Sequence, residues 1–156
     1  MTAGYVELQV TTHFSFLRGA SSPDELFAAA ALIGLPALGI VDRNSVAGIV
    51  RAWDAARTTG VRLVPGCRLD LDDGTGLLVY PTTRTAWSNL CRMLSIGKGR
   101  AGKGACRLGW DDVEDWNIGM NVPIERLGTA QVDELVPFLR GLAEETGRDF
   151  VLGLSG

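Results

Sequence analysis

Histidine is almost absent from this chain: His13 is the only one in 156 residues. One imidazole cannot build a histidine-rich metal centre, because transition-metal sites draw on several imidazole, thiolate or carboxylate ligands. Cysteine does not make up the shortfall. Cys67, Cys91 and Cys106 are odd in number, far apart and without a C-x-x-C pair, which implies reduced thiols in a cytosolic protein. Basic charge is not in excess either. Lys plus Arg is 15 against 18 for Asp plus Glu, so the chain is no self-sufficient nucleic-acid binder. The most apolar stretch, Leu26 to Leu38, is broken by glycine and proline and is too short to span a bilayer. The first seven residues lack a basic segment followed by an apolar one, so no secretory signal is expected. These absences predict a cytoplasmic protein with no membrane partner.

What is present is a core. The apolar content of 46% fits a globular chain of one domain's length, or a piece of a larger one. Residues Tyr5 to Val10 read as a first strand. Ser22-Pro23-Asp24-Glu25 is a helix start: Ser22 caps, Pro23 suits the first position and Glu25 completes a capping box. Leu26, Ala29, Ala30 and Ile33 follow at helical spacing, and Gly34 supplies the stop. Ala37 to Val41 reads as a buried strand. A helix near Val46 to Thr59 places Ile49, Val50, Trp53 and Ala56 on one face and ends at Gly60. Val61 to Val64 is a strand, and Arg68–Leu71 and Gly76–Tyr80 flank the hairpin signal Asp72-Asp73-Gly74-Thr75. A helix from about Thr83 to Leu94 turns Trp87, Leu90, Cys91 and Leu94 inward. Residues 97–107 read as a glycine-rich, basic, mobile loop. An acidic helical turn at Asp111 to Trp116, a strand near Ile118 to Val122, a helix over about Val132 to Thr146 and a strand at Phe150 to Leu154 complete the pattern. Alternating strands and helices imply right-handed crossovers and a parallel sheet or barrel, an α/β fold.

Several residues invite functional readings. Lys98, Arg100, Lys103 and Arg107 could meet phosphates, although a solvated loop is the plainer explanation and no P-loop spacing is present. Asp70, Asp72 and Asp73 resemble a two-metal carboxylate cluster, but Asp72-Asp73-Gly74 is better explained as turn chemistry. Trp53 and Trp87 fall on apolar helix faces and are expected in the core. Trp110 and Trp116 flank an acidic segment and suit an interdomain contact better than base stacking. His13 reads as a structural or solvated loop residue. Asp42 is either a relic of a metal site or, as favoured here, an acid capping the turn after its strand.

Three stretches carry a family resemblance. Leu8 through Ser21 is similar to the opening strand and loop of the polymerase-and-histidinol-phosphatase (PHP) domain that begins bacterial C-family DNA polymerases. Gly39-Ile40-Val41-Asp42-Arg43-Asn44-Ser45-Val46-Ala47-Gly48 resembles its second motif, and Gly60 to Leu69 its third strand. The match is best over residues 5–108 and looser over 109–156, and it is nearest the error-prone, damage-tolerant branch of that group. The resemblance implies a partial (β/α) barrel, the first half to two-thirds of a PHP domain, with mostly parallel strands and one hairpin.

It also implies where metal ligands belong. Gln9, Thr11 and Arg43 stand where metal-binding PHP domains have histidine, and Arg68 where they have glutamate. An arginine in a vacated pocket can replace the metal's charge by bonding Asp42 or nearby carbonyls, leaving His13 and Asp42 as a residual pocket. The expectation is therefore a domain with no catalytic residue, metal or cofactor of its own. In a full-length parent, Mg²⁺ would lie in the polymerase core and DNA synthesis past damage would occur there. The expected partners are the rest of that polymerase chain or its accessory proteins, with DNA a candidate for the basic loop. Because a barrel must close to protect its edges, the chain is expected to be a fragment or to need a partner. A stand-alone degenerate interaction module is the alternative.

Overall fold

A computed structural model describes residues 5–116, 120–121 and 124–125 of the chain. The helix expected over 132–146 and the strand over 150–154 lie outside the described residues. Two compact units divide at Arg68 and Leu69.

The first unit is a parallel βαβαβ run: β1 (Glu7–Val10), α1 (Pro23–Leu32), β2 (Ala37–Arg43), α2 (Ile49–Thr59) and β3 (Arg62–Asp70), the last strand crossing into the second unit. β1 pairs parallel to β2, and β2 pairs parallel to β3 in unbroken register from Ala37↔Arg62 to Arg43↔Arg68. The core lies between this sheet and its two helices: Phe27 and Ala30 from α1, Leu38 and Ile40 from β2, Ala52 and Ala55 from α2, with Val61 and Leu63 from the approach to and start of β3.

α1 begins as its sequence dictates. Ser22 Oγ accepts from the Glu25 N–H, the Glu25 carboxylate accepts from the Ser22 N–H at 2.8 Å, and Pro23 takes the first turn. Its buried stripe is Pro23, Phe27 and Ala30, not the expected Ala29 and Ile33. Phe27 has the largest apolar area to bury, and turning the helix to bury it leaves Ile33 72% exposed at the C-cap. α2 shows the same correction. It buries Ala52 and Ala55 and leaves Val50 and Trp53 outside. Small residues let α2 approach α1 and the sheet closely, and an indole at that contact would force them apart. Trp53 is therefore a surface residue. Gly60, with φ 75°, closes α2 as expected.

In the second unit, β4 (Gly76–Pro81) pairs antiparallel with the short strands β5 (Met120–Asn121) and β6 (Ile124–Glu125). α3 (Arg84–Arg100) and α4 (Trp110–Trp116) follow β4 in sequence. Leu77, Val79, Leu90, Met93, Leu108 and Val113 are buried there; Leu94 is also inside, while Trp87 and Cys91 are half-buried. α3 runs six residues past the expected stop, so residues 97–100 are helix and not mobile loop. Gly97 explains the misreading. A Cβ there would meet Cys106 Sγ at 2.7 Å and the Leu108 side chain at 2.8 Å, and Gly97 O accepts from the Arg107 N–H at 2.9 Å. The glycine is needed for close approach, not for flexibility. Lys98 and Arg100 in the last turn also suit the helix C-terminus.

Candidate functional site

The loop that follows β1 is held from beneath by one carboxylate. Asp42, 2% exposed near the end of β2, accepts from the Thr12 N–H at 2.8 Å and from Ser15 Oγ at 2.7 Å on one oxygen. Its other oxygen accepts from Thr12 Oγ1 at 2.7 Å. Ser15 Oγ in turn accepts from the Arg43 N–H at 2.9 Å. The acid thus fastens the preceding loop, which is a structural role, but not the cap of its own following turn. Sequence reading missed Thr12 and Ser15, although hydroxyls three apart after a strand are a plausible pair for a buried acid.

Glycines allow this closeness. A Cβ at Gly19 would lie 2.2 Å from Thr12 O, and one at Gly48 would lie 2.8 Å from the Phe14 ring and 3.2 Å from Asp42 Oδ2. The Arg18 and Gly19 N–H groups both donate to Ser15 O. At the tip, Leu17 holds φ 62°, a left-handed conformation that costs a bulky residue about 1–2 kcal/mol.

The resemblance matches Gln9, Thr11, Arg43 and Arg68 to metal ligands. Gln9 lies in β1, whose pairing with β2 shifts register between Glu7 and Val10, and Thr11 lies just past the end of that strand. Along β2 the side chains alternate between faces, with Ile40 on the helix side. By the same rule Asp42 shares the helix side with Leu38 and Ile40, while Arg43 faces away from it. Arg43 is directly opposite Arg68 in the β2–β3 register, so two guanidinium-bearing positions are lateral neighbours at the C-terminal ends of parallel strands. An arginine bonding Asp42 or nearby carbonyls in place of a metal was the expectation; on Asp42 itself, Thr12 and Ser15 supply the hydrogen bonds to both carboxylate oxygens.

This donor set does not fit a metal. Amide, hydroxyl and guanidinium groups are not the donors a transition metal favours, and the nearby acid already accepts three hydrogen bonds. Among the described residues no group of three His, Cys, Asp or Glu side chains is placed to hold an ion. His13 and Asp42, the pair expected as a residual pocket, differ in exposure. His13 is exposed, its Nδ1 3.3 Å from Ser21 O and its ring tilted against Phe14 at 4.6 Å, while Asp42 is buried.

The basic segment is divided in the second unit. Lys98 and Arg100 belong to α3, and Lys103 and Arg107 to the stretch beyond it. Arg100 reaches Asp112 at 2.7 Å and Arg107 faces Asp72 at 3.6 Å. The Arg100 guanidinium holds the Asp112 carboxyl below the usual carboxylate range. Asp73 does turn chemistry: it accepts from the Thr75 N–H at 2.9 Å and from Trp110 Nε1 at 2.8 Å.

A sheet of parallel strands joined by helices, with its candidate site at their C-terminal ends, defines an α/β protein. An amidohydrolase from Chromobacterium violaceum superposes with a TM-score of 0.68 at 16% identity, over 87% of this chain and 73% of that one. Residues 7–121 match the PHP domain model, and the chain belongs to that family. It is 64% identical over 118 residues to error-prone DNA polymerase 1 of Agrobacterium fabrum, covering 76% of this chain and 11% of that protein. It is 42% identical over 154 residues to the error-prone DNA polymerase of Mesorhizobium japonicum, covering 97% and 14%. The chain therefore spans only a small part of the length of these relatives. Among the described residues no helix is long and apolar enough to cross a membrane.

Proposed function

We propose that this chain is the non-catalytic PHP portion of an error-prone DNA polymerase and serves as a structural platform for the polymerase body. The observation that carries the reading is the Arg43↔Arg68 apposition. Arginines stand at two positions where the resemblance puts metal ligands, and a guanidinium has no lone pair to offer a divalent cation. DNA synthesis past damage and its Mg²⁺ belong, in this reading, to the parts of the relatives that this chain does not span. DNA binding by the basic segment is not required, since Arg100 and Arg107 already face carboxylates.

The test is enzymatic. The purified chain is expected to show neither primer extension nor Mn²⁺-dependent hydrolysis of phosphate esters. Ester hydrolysis that rises with added Mn²⁺ would overturn the reading. A stop codon directly after Gly156 would instead favour a stand-alone interaction module.

A further inference from the structure

The tip of the 12–19 loop combines two properties that rarely coexist. It is firmly built, and it holds large apolar side chains in water. Phe16 is 85% exposed and Leu17 89% exposed. Mobile loops often expose apolar residues without consequence, but this one is fastened through Thr12 and Ser15 to the buried Asp42 and closed by the Arg18 and Gly19 N–H groups on Ser15 O. Leu17 sits at φ 62°, so the backbone accepts strain in order to keep that side chain where it is. Strain of this kind persists where the surroundings over-determine it, and it concentrates at working sites.

We infer that Phe16 and Leu17 form an apolar knob by which this domain docks into a pocket on the polymerase body of the same chain. The inference rests on the platform reading. It adds the surface through which the platform acts. The occupant follows from covalent connection: in the Agrobacterium fabrum relative the matched stretch is 11% of the chain, so the remaining polymerase body is tethered nearby at high effective concentration. Two apolar side chains held in place by a fixed loop lose little entropy on docking, which is how a small contact becomes a hot spot.

The test uses a full-length polymerase in which this chain replaces the matched segment of the Agrobacterium fabrum relative. Hydroxyl-radical footprinting then reads Phe16 and Leu17 in that protein and in the isolated chain. Docking predicts an order-of-magnitude loss of labelling at both residues in the full-length protein, as for side chains entering an interface core. Primer extension should be retained. The Phe16→Asp, Leu17→Asp double variant should restore labelling of the loop in the full-length protein while leaving the isolated chain's melting unchanged. Equal labelling in both contexts, with primer extension intact and other surfaces of the domain protected, would overturn the knob and leave the platform standing. No protection anywhere on the domain would overturn both. Protection in the isolated chain that grows with its concentration would assign the knob to a second copy and overturn the proposal.

Discussion

Thr12 holds Asp42 twice, through its backbone N–H at 2.8 Å and its hydroxyl at 2.7 Å. With Ser15 on the same carboxylate, this joins the loop after β1 to the end of β2. Asp42→Asn offers a single acceptor oxygen where three donors converge, leaving buried donors unmet. The variant should lose about 2–3 kcal/mol of stability, read from the urea midpoint. Amide exchange at residues 12–19 should accelerate more than elsewhere. An unchanged midpoint would remove Asp42 from this role.

Gly19 is placed for contact, not for turn conformation. A methyl group there would meet the Thr12 carbonyl at 2.2 Å. Gly19→Ala should therefore destabilise by about 1–3 kcal/mol through overpacking, and the loss should be reduced in a protein already carrying Asp42→Asn, since the loop is then free to shift.

Gly99 gives the opposite expectation. It lies within α3, and a Cβ there would meet nothing within 4 Å. Gly99→Ala should stabilise by about 0.5–1 kcal/mol, the difference between these residues inside a helix. A mobile loop at 97–100 would show little change, so thermal melting distinguishes the two.

The capping box sets a pH dependence. The Ser22 N–H, followed by its hydroxyl, holds the Glu25 carboxyl below its ordinary value of 4.5. A group whose folded pKa is depressed contributes stability that is present above its unfolded pKa and is lost as the pH falls through the folded value. Stability should thus decline below pH 4.5, and Glu25→Gln should flatten part of that slope in urea melts taken between about pH 6 and pH 3. An identical slope in the variant would show that the carboxylate adds nothing to the cap.

Local rules read the first unit well where the signal was chemical. The Ser22–Glu25 cap, the Gly60 stop and the Asp73 turn are each set by one or two residues acting within a few positions, so sequence spacing displays them. Facing was less legible. The helical patterns of α1 and α2 contain more apolar residues than one face can bury, and only the neighbouring Ala30, Ala52 and Ala55 decide that Trp53 and Ile33 stay outside. Gly97 looked like a breaker because its partner Cys106 is nine residues away. The candidate face showed the same division. The positions that the resemblance matches to metal ligands, Gln9, Thr11, Arg43 and Arg68, could be named residue by residue from the sequence. The Arg43↔Arg68 register, and the seizure of Asp42 by Thr12 and Ser15, depend on which strands pair and which way each residue points.

The most direct measurement is the metal stoichiometry of the purified chain after equilibration with zinc and with manganese, followed by extensive dialysis. With cations at positions 43 and 68 and Asp42 fully engaged, neither metal should be retained in stoichiometric amount, and neither should raise the melting temperature. One equivalent of zinc or manganese retained per chain, with a raised melting temperature, would contradict the claim that this face has given up metal chemistry.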